Sequence, residues 1–487
     1  MGILSGDSPF KGVGTILAAF AALLLVGCGG GEDRTTGTVT SPDGTPAAIK
    51  VNSPAEIAQE SANDYNDNVN GLITGTTLQR WIDNWSVNRP AGITGRLIIL
   101  QTSNGPTGSE YITPNPANGV FTYSVPGSRL TMDRSNGVTT TRSMVPDGAA
   151  MDAFLKDYGI DPTKDMLVCA MGTGGAGQAM SMGRCWYAFR YWGVEANHLA
   201  QLNGGAANAG AGVMLGYVGS VATCDENKML ATPPAANCLP RSGIVSVRNL
   251  PQDNAALQAT LGDMIDVVDG RTSAFIWDAR NNPQYLGTGF QNNNSRAGHP
   301  NGALLLEHTE MVDAIGRYKD KATLAAYLNG ELPAGANSQF KTDIGGAVAP
   351  VGAGNAYQGG DIITYCETTY RAMLTGTVSG MILGLPTRFY DGAMVEWNSM
   401  SHMLDENYNY ILPEDSPWRT DTAARSVYTY STTAVAPRII DNPYHDAPRY
   451  RYTNAIIEAD KAYKAGSTGS GGAGAGGGAA PANPCGG

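Results

Sequence analysis

Four short apolar runs constrain the fold of this chain more than any other feature. They are Arg96-Leu-Ile-Ile-Leu-Gln101, Asp165-Met-Leu-Val-Cys169-Ala-Met171, Ala274-Phe-Ile-Trp-Asp278 and Ile362-Ile-Thr-Tyr365. Continuous apolar runs of this length, without alternation, read as strands buried on both faces. Helical patterns lie between them. Leu72 to Trp85 reads as an amphipathic helix, and Ala149 to Tyr158 as a helix ended by Gly159. Gly183 to Gly193 has aromatic residues at helical spacing, and Asn254 to Val268 is strongly amphipathic. Strand, helix and strand in alternation predict a parallel sheet with helices on both faces. The pattern occurs twice, as a weak internal duplication, so the expected fold class is α/β with two such sheets.

The chain has 487 residues, enough for two or three domains, and its 42% apolar content is that of a globular protein. Charged residues make up only 15%, and the 63 glycines imply many loops. The net charge of -11 and the lack of a long basic run argue against a nucleic-acid partner. No Cys-x-x-Cys-His haem motif is present, and no Cys/His grouping has zinc spacing. The five histidines, His198, His299, His308, His402 and His445, are scattered, so neither a metal nor a cofactor is expected. The loop Gly172-Thr-Gly-Gly-Ala-Gly177 lacks the Lys-Ser/Thr ending of a phosphate-binding loop and the spacing of a dinucleotide fingerprint.

Cys366 carries the candidate chemistry. It ends the apolar run Ile362–Tyr365 and opens a polar loop, Glu367-Thr-Thr-Tyr370, that closes on Arg371 before a helix-like stretch. A thiol at a strand-to-helix turn lies where main-chain N–H groups favour an anion. That anion can be the thiolate itself, an anionic substrate or a persulfide. The expectation is an accessible sulfur ringed by main-chain amides.

Downstream comes Gly384-Leu-Pro-Thr-Arg-Phe-Tyr390-Asp391-Gly392, then Glu396-Trp397. The run from Ile362 to Trp397 resembles the catalytic half of a rhodanese domain. Asp278-Ala-Arg280 and Gly298-His299-Pro-Asn-Gly302-Ala303 resemble two further pieces of that family. In the first half, Arg184-Cys-Trp-Tyr-Ala-Phe189-Arg190 and Leu202-Asn-Gly-Gly205 resemble its non-catalytic type. The resemblance spans residues 70 to 405. It implies two rhodanese-like domains and a two-step sulfur transfer through a Cys366 persulfide. The amides of residues 367 to 371 would hold the terminal charge, and Arg371 would support the loop. The resemblance places Glu367, Thr368, Thr369, Tyr370, Asp278, Arg280 and Gln284 at the persulfide or substrate. Of these, Asp278 would hold structure near the site, and Arg280 would be structural more than substrate-binding. Read without the resemblance, Asp278 and Arg280 are an ordinary surface pair at a strand end. Glu396 and Trp397 would wall the pocket or pack behind it. Four residues separate Cys366 from Arg371, one fewer than in the related phosphatase loops, which suits a persulfide sulfur.

The chain departs from the family pattern in two places. Glu367, Thr368 and Thr369 stand where thiosulfate-using members carry basic residues, and Gln284 replaces a donor-binding arginine. A carboxylate beside the thiolate discourages a dianionic donor. The candidate partners are therefore a small sulfur- or chalcogen-containing anion or a protein thiol. Three functions follow: a sulfurtransferase, a cysteine-dependent handler of selenite or tellurite working with extracytoplasmic redox proteins, or an inactive scaffold.

Near the N-terminus, Lys11 precedes an apolar run that ends Leu25-Val-Gly-Cys28-Gly29. This resembles a bacterial lipobox. It implies acylation of Cys28, with palmitate among the chains, and anchoring to the outer membrane on its periplasmic or cell-surface face. Export to an oxidising compartment favours disulfides. Cys224 and Cys238 are expected to pair, while Cys169 and Cys185 read as packing residues. The expected organisation is a signal peptide over 1–27, a flexible tether over 28–69 and a non-catalytic domain over 70–206. An insertion over 207–245, a catalytic domain over 246–405, an extension over 406–465 and a Gly/Ala-rich tail over 466–487 complete it.

Overall fold

The computed structural model describes residues 38–40, 46–66, 71–105, 107–108, 110–136, 140–205, 217–218, 223–232, 234–243, 245–288, 298–400 and 454–466. The lipidation candidate Cys28, residues His402, His445 and Cys485, most of the extension and nearly all of the tail lie outside this set.

The protein is α/β, built on two parallel sheets. In the first, the strands Leu72–Ile73, Leu199–Leu202, Met166–Ala170, Leu97–Gln101 and Val120–Ser124 lie side by side in that order. All four pairings are parallel. In the second, Gln258–Ala259, Thr387–Tyr390, Asp361–Tyr365, Ala274–Asp278 and Leu304–Leu305 do the same. Its four pairings are also parallel. Numbered along the chain within each half, the strand order is 1-5-4-2-3 in both. The weak internal duplication is thus explicit in the topology. The second sheet adds an antiparallel edge, Lys341–Asp343 and Val348–Pro350.

Alternate strand residues enter different cores, because successive side chains on a strand point to opposite faces. Ile98, Leu100, Leu167 and Cys169 join one cluster, while Leu97, Ile99, Met166 and Val168 join another. In the second sheet, Trp277 and Ile362 enter the first of these clusters. Ile276, Ile363 and Tyr365 enter a third. One core is therefore shared by both sheets, and it contains the buried face of the helix Ala176–Tyr191. That helix approaches the helix Ala372–Gly376 so closely that a Cβ at Gly183 would lie 2.6 Å from Met373 Cβ. Both sheets belong to one compact unit, Gly37–Gly487.

Several expectations change. The helix expected from Asn254 runs only over Leu261–Val268, because Thr260 and Asp263 form a capping box that sets its start. The residues before it give a short turn and the edge strand Gln258–Ala259. Leu72 and Ile73 are a strand, with the helix starting at Gly75 behind a Thr74 cap. Within the expected tether, residues 50–66 carry regular structure. Lys50–Val51 pairs with Gln252–Asp253, the helix Pro54–Ile57 is capped by Ser53, and Ser61 Oγ donates to Met381 O. Its polar composition conceals these main-chain pairings.

The expected disulfide joins Cys224 and Cys238, whose Cα atoms lie 5.1 Å apart. A second disulfide, between Cys169 and Cys185, replaces the packing role read for both. The strand and the helix carrying them are adjacent only in the folded sheet. Within the expected extension lies the helix Ala455–Lys464. It docks on the first half, with Arg134 and Asp460 in a buried ion pair at 2.6 Å. Lys464 Nζ also donates to Trp192 O at 3.0 Å. Among the described residues, no helix is long and apolar enough to cross a membrane.

Candidate active site

In a parallel sheet, ligands bind beyond the carboxyl ends of the strands, at the point where the strand order reverses. With order 1-5-4-2-3, that point lies between the fourth and second strands. In the second half these are Asp361–Tyr365 and Ala274–Asp278, which pair Tyr365 with Asp278 at their ends. The next residues are Cys366 on one strand and Ala279-Arg280 on the other. Ala279 N donates to Tyr365 O at 3.0 Å, which holds the two strand ends together. The switch point therefore coincides with the cysteine singled out in the sequence. In the first half the equivalent position, just after Ala170, is Met171.

Cys366 is the one cysteine outside a disulfide among the described residues, and it is 0% exposed, packed with Ala279 and Ala372. The expectation of an accessible sulfur is overturned, since Ala279 at the end of the neighbouring strand and Ala372 in the following helix pack with it. The loop that follows it is polar, however. Glu367, Thr368, Thr369 and Arg371 are all buried. Burying so many polar side chains costs free energy unless each is partnered. Thr369 adopts φ +66°, and its Oγ1 donates to Asp391 O at 2.9 Å and Tyr390 O at 3.1 Å. A threonine in the left-handed region is strained, and such strain concentrates at functional sites. Cys366 O and Glu367 O accept from Met394 N and Val395 N, which fix the loop to the helix Ala393–Met400.

Asp278 and Arg280 are not a surface pair. Both are buried, with Arg280 Nη2 2.6 Å from Asp278 Oδ2. Tyr365 Oη donates to the same carboxylate at 2.6 Å, and Arg280 Nη2 donates to Gly298 O at 2.7 Å. Arg280 Nη1 also lies 3.6 Å from Glu367 Oε2. The Glu367 charge is therefore partly balanced, which weakens its repulsion of a thiolate. Arg371 Nη1 donates to Gln284 Oε1 at 2.6 Å, so Gln284 orients the loop arginine. Tyr370 is buried at the loop's end. His299 stacks on Tyr285, centroids 3.6 Å apart, and serves the turn behind Arg280.

Trp397 packs behind the sheet with Ile363 and Tyr365. Glu396 instead lines a separate small cavity with Gln258, Thr260 and Asn454. Burial raises its pKa to about 7.

Three groups escaped the sequence reading. Arg184 and Asp391 form a fully buried ion pair between the two halves, and Asp391 Oδ2 also accepts from Val145 N at 2.7 Å. Arg184 lies in the aromatic helix motif and Asp391 in the Tyr-Asp-Gly turn, but nothing local links them. The third is His308. Its main-chain N and its Nδ1 both meet Ala279 O, at 3.1 and 3.2 Å. Burial, with Arg371 nearby, lowers its pKa to about 4, so the imidazole is neutral at physiological pH. Among the described residues no cluster of metal-ligating side chains occurs.

No family profile and no curated protein matches the chain. Solved structures do. The crystal structure of the Tum1 protein from Saccharomyces cerevisiae matches with a TM-score of 0.45 and 15% identity, over 70% of this chain and 97% of that one. A persulfide form of EanB with ergothioneine matches with a TM-score of 0.43 and 13% identity, over 70% of each chain. SseA from Escherichia coli, described for the "rhodanese" fold and mechanism of 3-mercaptopyruvate sulfotransferases, gives 0.41 and 18%, over 65% and 97%.

Proposed function

We propose that the chain is a sulfurtransferase that carries sulfane sulfur on Cys366. The observation that carries this reading is the position of Cys366. It is a thiol outside any disulfide at the switch point of a parallel sheet, opening a buried polar loop with a left-handed threonine. A structural cysteine needs no such surroundings. The thiolate attacks the outer sulfur of a donor, the donor leaves with its electron pair, and Cys366 holds the persulfide until an acceptor removes it. Arg371, oriented by Gln284, supplies positive potential. Asp278, Arg280 and Tyr365 fix the neighbouring strand end. Because the sulfur is enclosed, donor entry requires the residues around Cys366 to move.

The proposed donor is a small sulfur-containing anion or a protein thiol carrier. The proposed location is the bacterial outer membrane, through a lipid on Cys28. One observation favours a second reading, a scaffold with no turnover: Cys366 has no exposed surface. Intact mass after incubation with polysulfide separates the two. One added sulfur atom in the wild type and none in Cys366→Ser is the expected result. No adduct on either protein leaves the scaffold.

A further inference from the structure

The turn and helix that follow the strand Thr387–Tyr390 hold the cysteine loop by four hydrogen bonds. Thr369 Oγ1 donates to Asp391 O and Tyr390 O, at 2.9 and 3.1 Å. Met394 N donates to Cys366 O at 3.1 Å, and Val395 N donates to Glu367 O at 3.3 Å. Segment 390–395 is therefore a clasp that fixes where Cys366 and its loop sit. Glu396 is the next residue. Its main-chain N donates to Gly392 O at 2.9 Å, and its carboxyl folds back over the same glycine, where a Cβ would collide with Oε2. Asn136 of the first half donates to Oε1. A buried carboxyl group thus sits inside the clasp, at the start of the helix Ala393–Met400.

The cations on the elements around that carboxyl are committed elsewhere. Arg184 pairs with Asp391, Arg388 with Asp263 and Arg134 with Asp460. Asp133, Glu458 and Lys461 are exposed, and Arg142 is partly so. Burial pushes the Glu396 pKa up to about 7, and the like charge of Asp391 adds to the rise, while Tyr390 and Asn136 oppose it. Beside the carboxyl lies the small cavity lined by Gln258, Thr260 and Asn454. Gln258 is buried, and among the described residues its Oε1 meets no donor. Thr260 and Asn454 are partly exposed, so the cavity lies near the surface. A neutral carboxyl suits the closed site. A charged one without a cation costs free energy until water reaches it. The cavity is the polar space where water can do so.

We propose that Glu396 is a proton-operated latch on the Cys366 loop. Neutral, it keeps the clasp closed. Ionised, it draws water into the cavity and loosens the clasp, so that Cys366 shifts from its seat against Ala279 and Ala372. The proton leaves to solvent. Glu396 is a positioning residue, acting through Met394, Val395 and Thr369. The inference rests on the sulfur-transfer reading only for what the opening admits, a sulfur donor. In the closed site the carboxyl keeps its proton up to about pH 7, and in water it releases it near 4.5. Opening is therefore favoured progressively as the pH rises between these values, and no further above them.

The test follows hydrogen exchange of the Met394 and Val395 amides in the full chain, with rates corrected for intrinsic exchange at each pH. Between pH 6 and 8 their protection in the wild type should fall about tenfold, the ratio set by a pKa of 4.5 in the open state and about 7 in the closed one. In Glu396→Gln, which is neutral at both pH values, protection should stay constant. Constant protection in the wild type overturns the latch, and so does an equal fall in the variant. Glu396→Met is the second variant if the first does not fold, read by the same comparison. Sulfur loading from polysulfide is followed in parallel by intact mass. The ratio of wild-type to variant loading rates should rise about tenfold over the same range, since the titration of the thiol is common to both. A flat ratio while protection falls overturns the link to Cys366. A wild type that opens but takes up no sulfur at either pH removes the sulfur-transfer reading and leaves the latch standing.

Discussion

Around Cys366, each charged side chain has a counterpart that the strand ends bring to it. Asp278 receives Arg280 and Tyr365, and Arg371 donates to Gln284. Removing one member of a buried pair leaves the other uncompensated, which costs about 3–5 kcal/mol. Asp278→Asn is accordingly expected to lower the unfolding free energy by that order, read from urea midpoints at constant slope. A change under about 1 kcal/mol would show that Arg280 finds another partner. Glu396 is a different case. Burial raises its pKa from 4.5 to about 7, against the smaller pull of Tyr390 and Asn136. The folded state therefore keeps a proton that the unfolded chain releases between about pH 4.5 and 7. This contribution is complete below pH 4.5 and is lost as the pH rises toward 7, by about 3 kcal/mol at most. Glu396→Gln should flatten that slope in melts taken from pH 5 to 8. An unchanged slope would mean the carboxyl is already ionised in the fold.

At the level of elements, the helix Ala176–Tyr191 does more than fill the space between the sheets. Cys185 ties it to the strand Met166–Ala170, Arg184 reaches Asp391, and Gly183 rests on the helix that follows Cys366. Adding a methyl group at Gly183 places it 2.6 Å from Met373 Cβ, closer than carbon atoms pack. Overpacking of this kind costs about 1–3 kcal/mol. Gly183→Ala is expected to lower thermal stability and, by displacing the start of the Ala372–Gly376 helix, to slow sulfur loading at Cys366. Loading at the wild-type rate would show that the cysteine loop does not follow that helix.

For the molecule as a whole, the shared core and the Arg184–Asp391 pair make the first half part of the support of the half that carries Cys366. Thr369 bonds the main chain at Asp391, so the clamp and the cysteine loop meet at one turn. Calorimetry should therefore show one cooperative transition rather than two, and Arg184→Met should lower its midpoint while keeping it single. Two resolved transitions in the wild type would contradict the shared core.

Much of this was legible along the chain, because it depends on neighbours in sequence. Continuous apolar runs announced strands buried on both faces, Gly159 ended its helix at φ +64°, and the position of Cys366 between strand and helix marked the switch point. Cys224 and Cys238 lie close enough in sequence for their pairing to be expected. What folding alone decided involves residues far apart. The Cys169–Cys185 bond, the Arg184–Asp391 clamp and the approach of His308 to Ala279 each need two elements to pack first. So does the enclosure of the thiol, since a loop's polar sequence does not reveal which surfaces close over it. Local free energies of strand, turn and cap are written in short segments. Burial and charge pairing belong to the distances that the sheets impose.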